Sequence, residues 1–375
     1  MGDQPSPDPA IRRNRPTRTA PAVTIRDVAR EAGVSVASVS RVVNEKSPVR
    51  EETRFRIRRA IQKLRYAPHG AARSLITRKT HTLGVLLPDL FGEFFSELIR
   101  GIDAAARGRG YHLLVSGSHE DPVETQELLR AIRGRVDGLI ALSPGLDARA
   151  FEENLPAGFP VVLLNSVIRR SGYGSILVDN YGGAFAMVRH MIHLGHRRIA
   201  FVTGPANNHD ASERLRGYRD ALRRHAETSA LEIPGDFREE AGYRAASRIL
   251  RSRPRPAAVF AANDAMAIGL LCAFRERGVR VPEEMALAGF DDIPIARFVT
   301  PPLTTVRVPI ADLGSRATAR LLHALEGSDG RARRHEVLPT TLVVRSSCGT
   351  APKPKIFAWK IEKRQFAIVR KEDSR

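Results

Sequence analysis

The sequence predicts a two-part molecule: a small all-α block at the N-terminus, then an α/β body of two doubly wound parallel-sheet lobes. Three observations lead there. Between residues 23 and 66 apolar residues recur at helical spacing, with cap residues ahead of the first two stretches. From 81 to 347 short, nearly continuous apolar runs alternate with amphipathic stretches, as parallel strands do when helices cover both faces of their sheet. About ten strands in roughly 265 residues exceed one sheet of ordinary size, so the body divides into two lobes.

The elements follow in order. Residues 1–22 are rich in Pro and Arg without apolar periodicity and read as a disordered basic leader. Thr24 is a good N-cap for a helix over 25–32, where Ile25, Val28, Ala29 and Ala32 form one apolar face and Gly33 ends the turn. Ser35 caps a second helix running to about Asn44, with Val39, Val42 and Val43 inward. A third, from about Glu51 to Leu64, buries Ile57, Ala60, Ile61 and Leu64. Two short helices joined by a tight glycine turn and closed by a third form the helix-turn-helix plan, whose second helix enters the major groove. On that plan Val36, Ala37, Ser40 and Arg41 face DNA. Arg41 can fork onto guanine, while Val36 and Ala37 offer apolar contact, for instance to a thymine methyl. Phosphate contacts then come from helix N-termini, as at Ser35, and from Thr24, Asn44, Arg50 and Thr53. A plain three-helix bundle with ordinary surface charge fits the same periodicity.

In the body the apolar runs are LGVLLP (83–88), YHLLVSG (111–117), GLIALS (138–143), VVLLNS (161–166), SILVD (175–179), RIAFVTG (198–204), AAVFAAN (257–263) and MALAGF (285–290). Between them stand helical candidates such as FFSELIRGIDAAARGRG, YGGAFAMVRHMIHLG and AMAIGLLCAFRERG. After Ser347 comes a basic tail, 348–375, holding five of the chain's eight lysines and its one tryptophan, Trp359. It reads as an appendage of unknown role.

Charge is placed unevenly. Of the formal net charge of +19, residues 1–80 carry +11, the tail +5 and the long middle +3. That concentration is the electrostatic footprint of a segment that meets a polyanion, most often nucleic acid. No apolar run of 18 residues exists, and the N-terminus lacks the apolar core of a signal peptide, so a cytoplasmic protein without membrane spans is expected. Cys272 and Cys348 stand too far apart in sequence for a disulfide framework or a Cys-rich metal site. Phosphate loops, nucleophile elbows and HExxH are absent, so neither an enzyme nor a cofactor is expected. His190, His193 and His196 lack the Cys or carboxylate that would complete a zinc set.

The string VTIRDVAREAGVSVASVSRVVNEKSPVREETRFRIRRAIQKLRYAPHGAARSL closely resembles the headpiece of the lactose/galactose-repressor (LacI/GalR) family. The likeness continues through TLGVLLPDLFGEFFSEL, VDNYGGAFAMVRHMIHLGHRRIAFVTGP, ERLRGYRDAL, FAANDAMAIGLL and VPEEMALAGFDDIPIARFVTPPLTTVRVP, spanning about 23–347. It implies a helix-turn-helix headpiece over 23–70, a hinge helix and linker over 71–80, and a periplasmic-binding-protein-like body over 81–347 for effector binding and dimerisation. The resemblance makes Ala71 to Ile76 the hinge helix, with Ala72 against DNA and Leu75 wedging a minor-groove step. It implies a transcriptional regulator of the repressor type, working as a homodimer on a pseudo-palindromic double-stranded operator and controlled by a carbohydrate-like effector. Tetramer formation is left open. The effector positions carried over are Phe94, Phe95, Asn165, Asn208, Asn263 and Asp291, each near the carboxyl end of a strand, where such clefts lie. Each can also be read as a loop cap or turn former, Asn263 above all.

The sequence departs from the family pattern in three places. Gly92 and Glu93 replace the common Asn-Pro, Asn165 replaces an Asp, and Ser212 aligns with the arginine that often clamps ligand hydroxyls, while Arg214 nearby is kept. A ligand-binding receptor without DNA regulation is the rival reading. The charged front end argues against it.

Overall fold

The computed structural model describes residues 23–43, 49–66, 79–119, 121–142, 148–166, 173–224, 229–327, 335–349, 356–362 and 365–369. The leader, Asn44, and the hinge segment with Ala72 and Leu75 lie outside the described residues. The chain divides into two units, Met1–Arg78 and Lys79–Arg375.

In the first unit, α1 (Ile25–Ala32) opens with the Asp27 carboxylate accepting from the Thr24 amide at 2.9 Å and its hydroxyl at 2.7 Å. Gly33 then takes a left-handed conformation (φ 61°) that a side chain would strain, and the chain turns. Ser35 Oγ accepts from the Ser38 amide at 3.2 Å, capping α2 (Val36–Val43). Helix α3 (Glu51–Lys63) closes a core of Val28, Ala29, Ala32, Val39, Ile57 and Ala60, with Ile25, Val42, Val43, Ile61 and Leu64 packed around it. Lys63 and Glu31 tie α3 to α1 at 2.6 Å.

The body begins with β1 (Thr82–Leu87), α4 (Glu93–Arg107), β2 (His112–Gly117), α5 (Pro122–Ala131), β3 (Gly138–Ala141), α6 (Ala148–Asn154), β4 (Val161–Leu164) and β5 (Gly174–Val178). It continues through α7 (Asn180–His193), β6 (Arg198–Val202), α8 (His209–Arg223), β7 (Ser229–Ile233), α9 (Glu239–Arg251), β8 (Ala258–Ala261), α10 (Asp264–Glu276) and β9 (Ala286–Ala288). A 3-10 turn (Pro294–Arg297) and β10 (Thr305–Arg307) precede α11 (Ile310–Leu325), β11 (His335–Leu338) and β12 (Thr341–Val343). Strands β13 (Ile356–Glu362) and β14 (Gln365–Val369) extend antiparallel from β12.

Among the described residues two sheets are wholly parallel, β11-β5-β4-β3-β1-β2 in lobe 1 and β7-β6-β8-β9 in lobe 2, and a third, β10-β12-β13-β14, is antiparallel. All eight apolar runs became strands. Edge strand β7 escaped notice because SALEI is only partly covered and lacks a continuous apolar run. The chain passes between lobes three times, after β5, after β10 and after β11. Helix α11 returns to lobe 1 and packs on α4 so closely that a Cβ on Gly101 would run into the Ala311 carbonyl. In lobe 2, α9 and α10 meet the same way, with Gly269 against the Glu239 carbonyl.

Ser347 and Cys348 are fully buried. Ser347 Oγ accepts from the Thr304 amide at 2.8 Å and donates to the Leu287 carbonyl at 2.6 Å, so the body runs through Cys348. His190 Nε2 lies 3.4 Å from Cys348 Sγ, and burial pushes the imidazole down to about 4. His190 is thus part of the packing, while His193 on the next turn is exposed, and the described residues contain no cluster able to hold a metal ion. Among them no helix is long and apolar enough to cross a membrane.

Candidate functional site

The N-terminal end of α2 leaves Val36 and Ala37 exposed, Val36 at 41%, although valine at such a position normally packs inward. Arg41 and Arg50 are exposed, and Ser40 and Thr53 are half-buried on the neighbouring turns. Thr24 and Ser35 are exposed too, their hydroxyls already engaged with Asp27 and Ser38. The exposed Arg56, Arg58 and Arg59 of α3 add charge that the motif reading had not singled out.

In the body, parallel strands send their carboxyl ends, and the N-termini of the helices that follow, toward one side of each sheet. Strand order reverses between β1 and β3 in lobe 1 and between β6 and β8 in lobe 2, and ligands of such sheets bind beyond the strand ends at the switch point. Loops from the two lobes meet there. Asn165, after β4, donates from Nδ2 to Asp210 Oδ2 at 2.7 Å in lobe 2. Glu93 accepts from the Ile295 amide at 2.8 Å, and Arg238 reaches Asp89 at 3.2 Å.

At the centre stands Arg214 on α8, almost fully buried. Its Nε donates to Asn180 Oδ1 at 2.7 Å, Nη1 donates to the Ala262 carbonyl at 2.6 Å, and Nη2 lies 3.0 Å from Asp291 Oδ1. The guanidinium carbon sits 3.9 Å from the centre of the Phe290 ring, a cation–π contact in a desolvated setting. Asn180 Nδ2 donates to Asp210 Oδ1 at 2.9 Å, so Asp210 is bound from both lobes. Asp210 keeps a partly exposed edge, yet burial pushes both it and Asp291 up to about 6 against the pull of Arg214. Asp291 holds a positive φ of 112°, and its amide donates to the Val306 carbonyl at 2.7 Å. The cluster is therefore tied directly to β10, one of the crossing segments.

The predicted effector residues separate into three groups. Asn165 and Asp291 enter the cluster. Asn208 and Asn263 are helix caps: their Oδ1 atoms accept from the Ala211 and Met266 amides at 3.1 and 3.0 Å, and Asn263 Nδ2 donates to the Phe237 carbonyl. Phe94 and Phe95 pack edge to face, ring centres 5.5 Å apart, in the first turn of α4 beside the Glu93 bridge. Ser212 is the correction. It is exposed, and its hydroxyl turns back to the Asn208 carbonyl at 3.0 Å. Two residues on a helix differ by about 200°, so Ser212 and Arg214 point opposite ways, and Arg214 is the cation of the cleft. Asp210 and Asn180 were missed. Asn180 follows a strand's carboxyl end, a signal that could have found it, whereas only the fold brings Asp210 to it.

Comparison with known proteins agrees with this geometry. Residues 24–69 match the profile of bacterial regulatory proteins of the lacI family, and residues 188–348 that of a periplasmic binding protein-like domain. The chain is 36% identical over 341 residues to the HTH-type transcriptional repressor PurR of Edwardsiella ictaluri, covering 88% of this chain and 98% of that one. It is 36% identical over 323 residues to the ribose operon repressor of Escherichia coli, covering 84% and 97%. Among solved structures it resembles the lac repressor dimer bound to operator and the anti-inducer ONPF, with TM-score 0.78, 30% identity and coverage of 87% and 99%. The chain belongs to the lacI family of bacterial regulatory proteins and is a DNA-binding transcriptional regulator with a helix-turn-helix headpiece and a periplasmic-binding-protein-like body.

Proposed function

We propose that the chain is a repressor that binds a pseudo-palindromic operator as a homodimer and releases or tightens its grip when a small polyhydroxylated effector occupies the Arg214 cleft. The observation that carries this reading is Asp291, which faces Arg214 on one side and hydrogen-bonds β10 on the other. A ligand that favours one arrangement of this cluster favours one arrangement of the crossing segments, and coupling to DNA is then reciprocal. The likeness to a lac repressor dimer on operator, and to a regulator holding cellobiose (TM-score 0.65, 32% identity, 87% of this chain and 99% of that one), supports dimer, duplex and carbohydrate-like ligand alike. Val36 and Ala37 read base edges, Ser40 and Arg41 stand beside them, and Thr24, Ser35, Arg50 and Thr53 serve phosphates. Asn44, Ala72 and Leu75, outside the described residues, belong to the same DNA-binding set. The protein acts in the cytoplasm, where its DNA is, and performs no catalysis. Selection of binding sites from random duplex, repeated after exchanging Val36 and Ala37 for other residues, tests the reading. The consensus should change while the salt dependence of binding stays the same; an unaltered consensus would place base readout elsewhere.

A further inference from the structure

The chain enters the body through a gripped segment. Of the linker expected over 71–80, Lys79 and Thr80 are described, and β1 begins just beyond, at Thr82. Strand β1 lies between β2 and β3 in the lobe 1 sheet, and residues beside both neighbours hold the chain ahead of it. On the β3 side, Asp137 Oδ1 accepts from the Thr80 amide at 2.6 Å and from the Thr80 hydroxyl at 2.9 Å. Its Oδ2 accepts from the His81 amide at 2.9 Å. On the β2 side, the His112 amide donates to the His81 carbonyl at 2.9 Å, and the His81 and Tyr111 ring centres lie 5.5 Å apart. Within the segment, the Thr82 amide donates back to Thr80 Oγ1 at 3.2 Å. His81 holds φ at 52°, a left-handed conformation that a residue with a side chain keeps only where its surroundings impose it. Thr80 is half-buried and His81 exposed, so water can serve both amides and lobe 1 can fold without these bonds. What the carboxylate adds, with three donors converging on it, is a fixed exit.

We infer that Asp137 is a positioning residue for DNA binding: its carboxylate fixes the point and direction at which each chain leaves lobe 1, and so sets the half-site spacing that the dimer accepts. This rests on the reading above of a homodimer on a pseudo-palindrome and adds a determinant of its geometry. Each base pair of spacing moves a half-site by about 3.4 Å and turns it by about 35°. A fixed exit penalises the wrong spacing, whereas a loose one follows it at an entropic cost on every duplex.

Two measurements on the full chain test this. The peptide bond between Lys79 and Thr80 contains the very amide that Asp137 holds. Limited trypsin digestion should cut it about tenfold faster in Asp137→Ala than in the native chain, because cleavage follows the population of the opened segment and one net hydrogen bond is worth about that factor. Duplexes that the native chain selects from random sequence are then rebuilt with one base pair added or removed between half-sites. The native chain should bind the rebuilt duplexes about tenfold more weakly than the parent, and Asp137→Ala should narrow that gap to about threefold. Asp137→Asn, which keeps one acceptor for Thr80, should fall between. A change in stability alone does not move this ratio. Equal trypsin rates, or native discrimination in Asp137→Ala, overturn the inference and leave the dimer standing. A native chain indifferent to spacing overturns the homodimer reading itself.

Discussion

The two lobes of the body share an architecture and differ in chemistry. Both have a parallel sheet in the order second-first-third-fourth strand, and both lock a helix pair together through a glycine against a neighbouring carbonyl. Yet Arg214, Asp210, Asp291, Asn180 and Asn263 all stand in lobe 2 or on the segment entering it, while lobe 1 contributes Asn165 and the Phe94–Phe95 pair. The same fold presents loops at the same place in each lobe, but only side chains decide what those loops recognise. Lobe 2 holds the buried charge, and lobe 1 reaches that cluster through the Asn165 amide.

The contrast can be broken most forcefully at Arg214. Arg214→Met leaves Asp291 buried without its cation and should cost about 3–5 kcal/mol, read as a lower urea midpoint of the body. An unchanged midpoint would mean the ion pair contributes nothing to lobe 2. Next come the shared helix contacts. Gly101→Ala in lobe 1 and Gly269→Ala in lobe 2 should each destabilise by about 1–3 kcal/mol, because an entire helix must shift to admit a methyl group. Similar losses would confirm that the lobes are architectural equals; a loss in one alone would show that equality to be superficial.

The pH dependence of stability sharpens the chemical difference. Asp210, pushed up to about 6 by burial, keeps its proton in the folded chain after the unfolded chain, at the ordinary 3.8, has lost it. Its contribution to stability is therefore greatest below 3.8 and falls as pH rises toward 6. His190, pushed from 6.5 down to about 4, works in the opposite direction across an overlapping window, so the native profile alone gives only a sum. Asp210→Asn removes this carboxyl together with its upward push on Asp291, which acts in the same direction. Relative to this variant the native chain should lose melting temperature between pH 4 and 6, and parallel curves would exclude a shifted Asp210. The smallest effect is expected at the rim between lobes. Arg238 is exposed and Asp89 partly so, and Arg238→Ala should change stability by less than about 1 kcal/mol, with the difference vanishing in high salt.

Much of the fold was legible because each element announces itself locally. Thr24, Gly33 and Ser35 set the ends of α1 and the start of α2 through their own hydrogen bonds and backbone preference, with no help from distant residues. Strands covered on both faces read as continuous apolar runs, whereas the partly covered edge strand β7 does not, and the short β10 and β12 have only three residues each in which to show a pattern. The two asparagines after strands β6 and β8 read either as ligand contacts or as caps, because caps and binding residues share that position at strand ends. Only hydrogen-bond geometry shows that both Oδ1 atoms cap the helix that follows.

Sequence by itself determined the order and kind of elements, the basic front end and the family, since these depend on composition and short-range periodicity. Tertiary structure alone decided which residues make the cleft. Asn165, Asn180, Asp210, Arg214 and Asp291 are scattered over more than a hundred residues and meet only after two sheets have folded and the chain has crossed between them. A hydrogen bond requires atoms within about 3 Å in a set direction, and no periodicity along a chain encodes that between separate lobes.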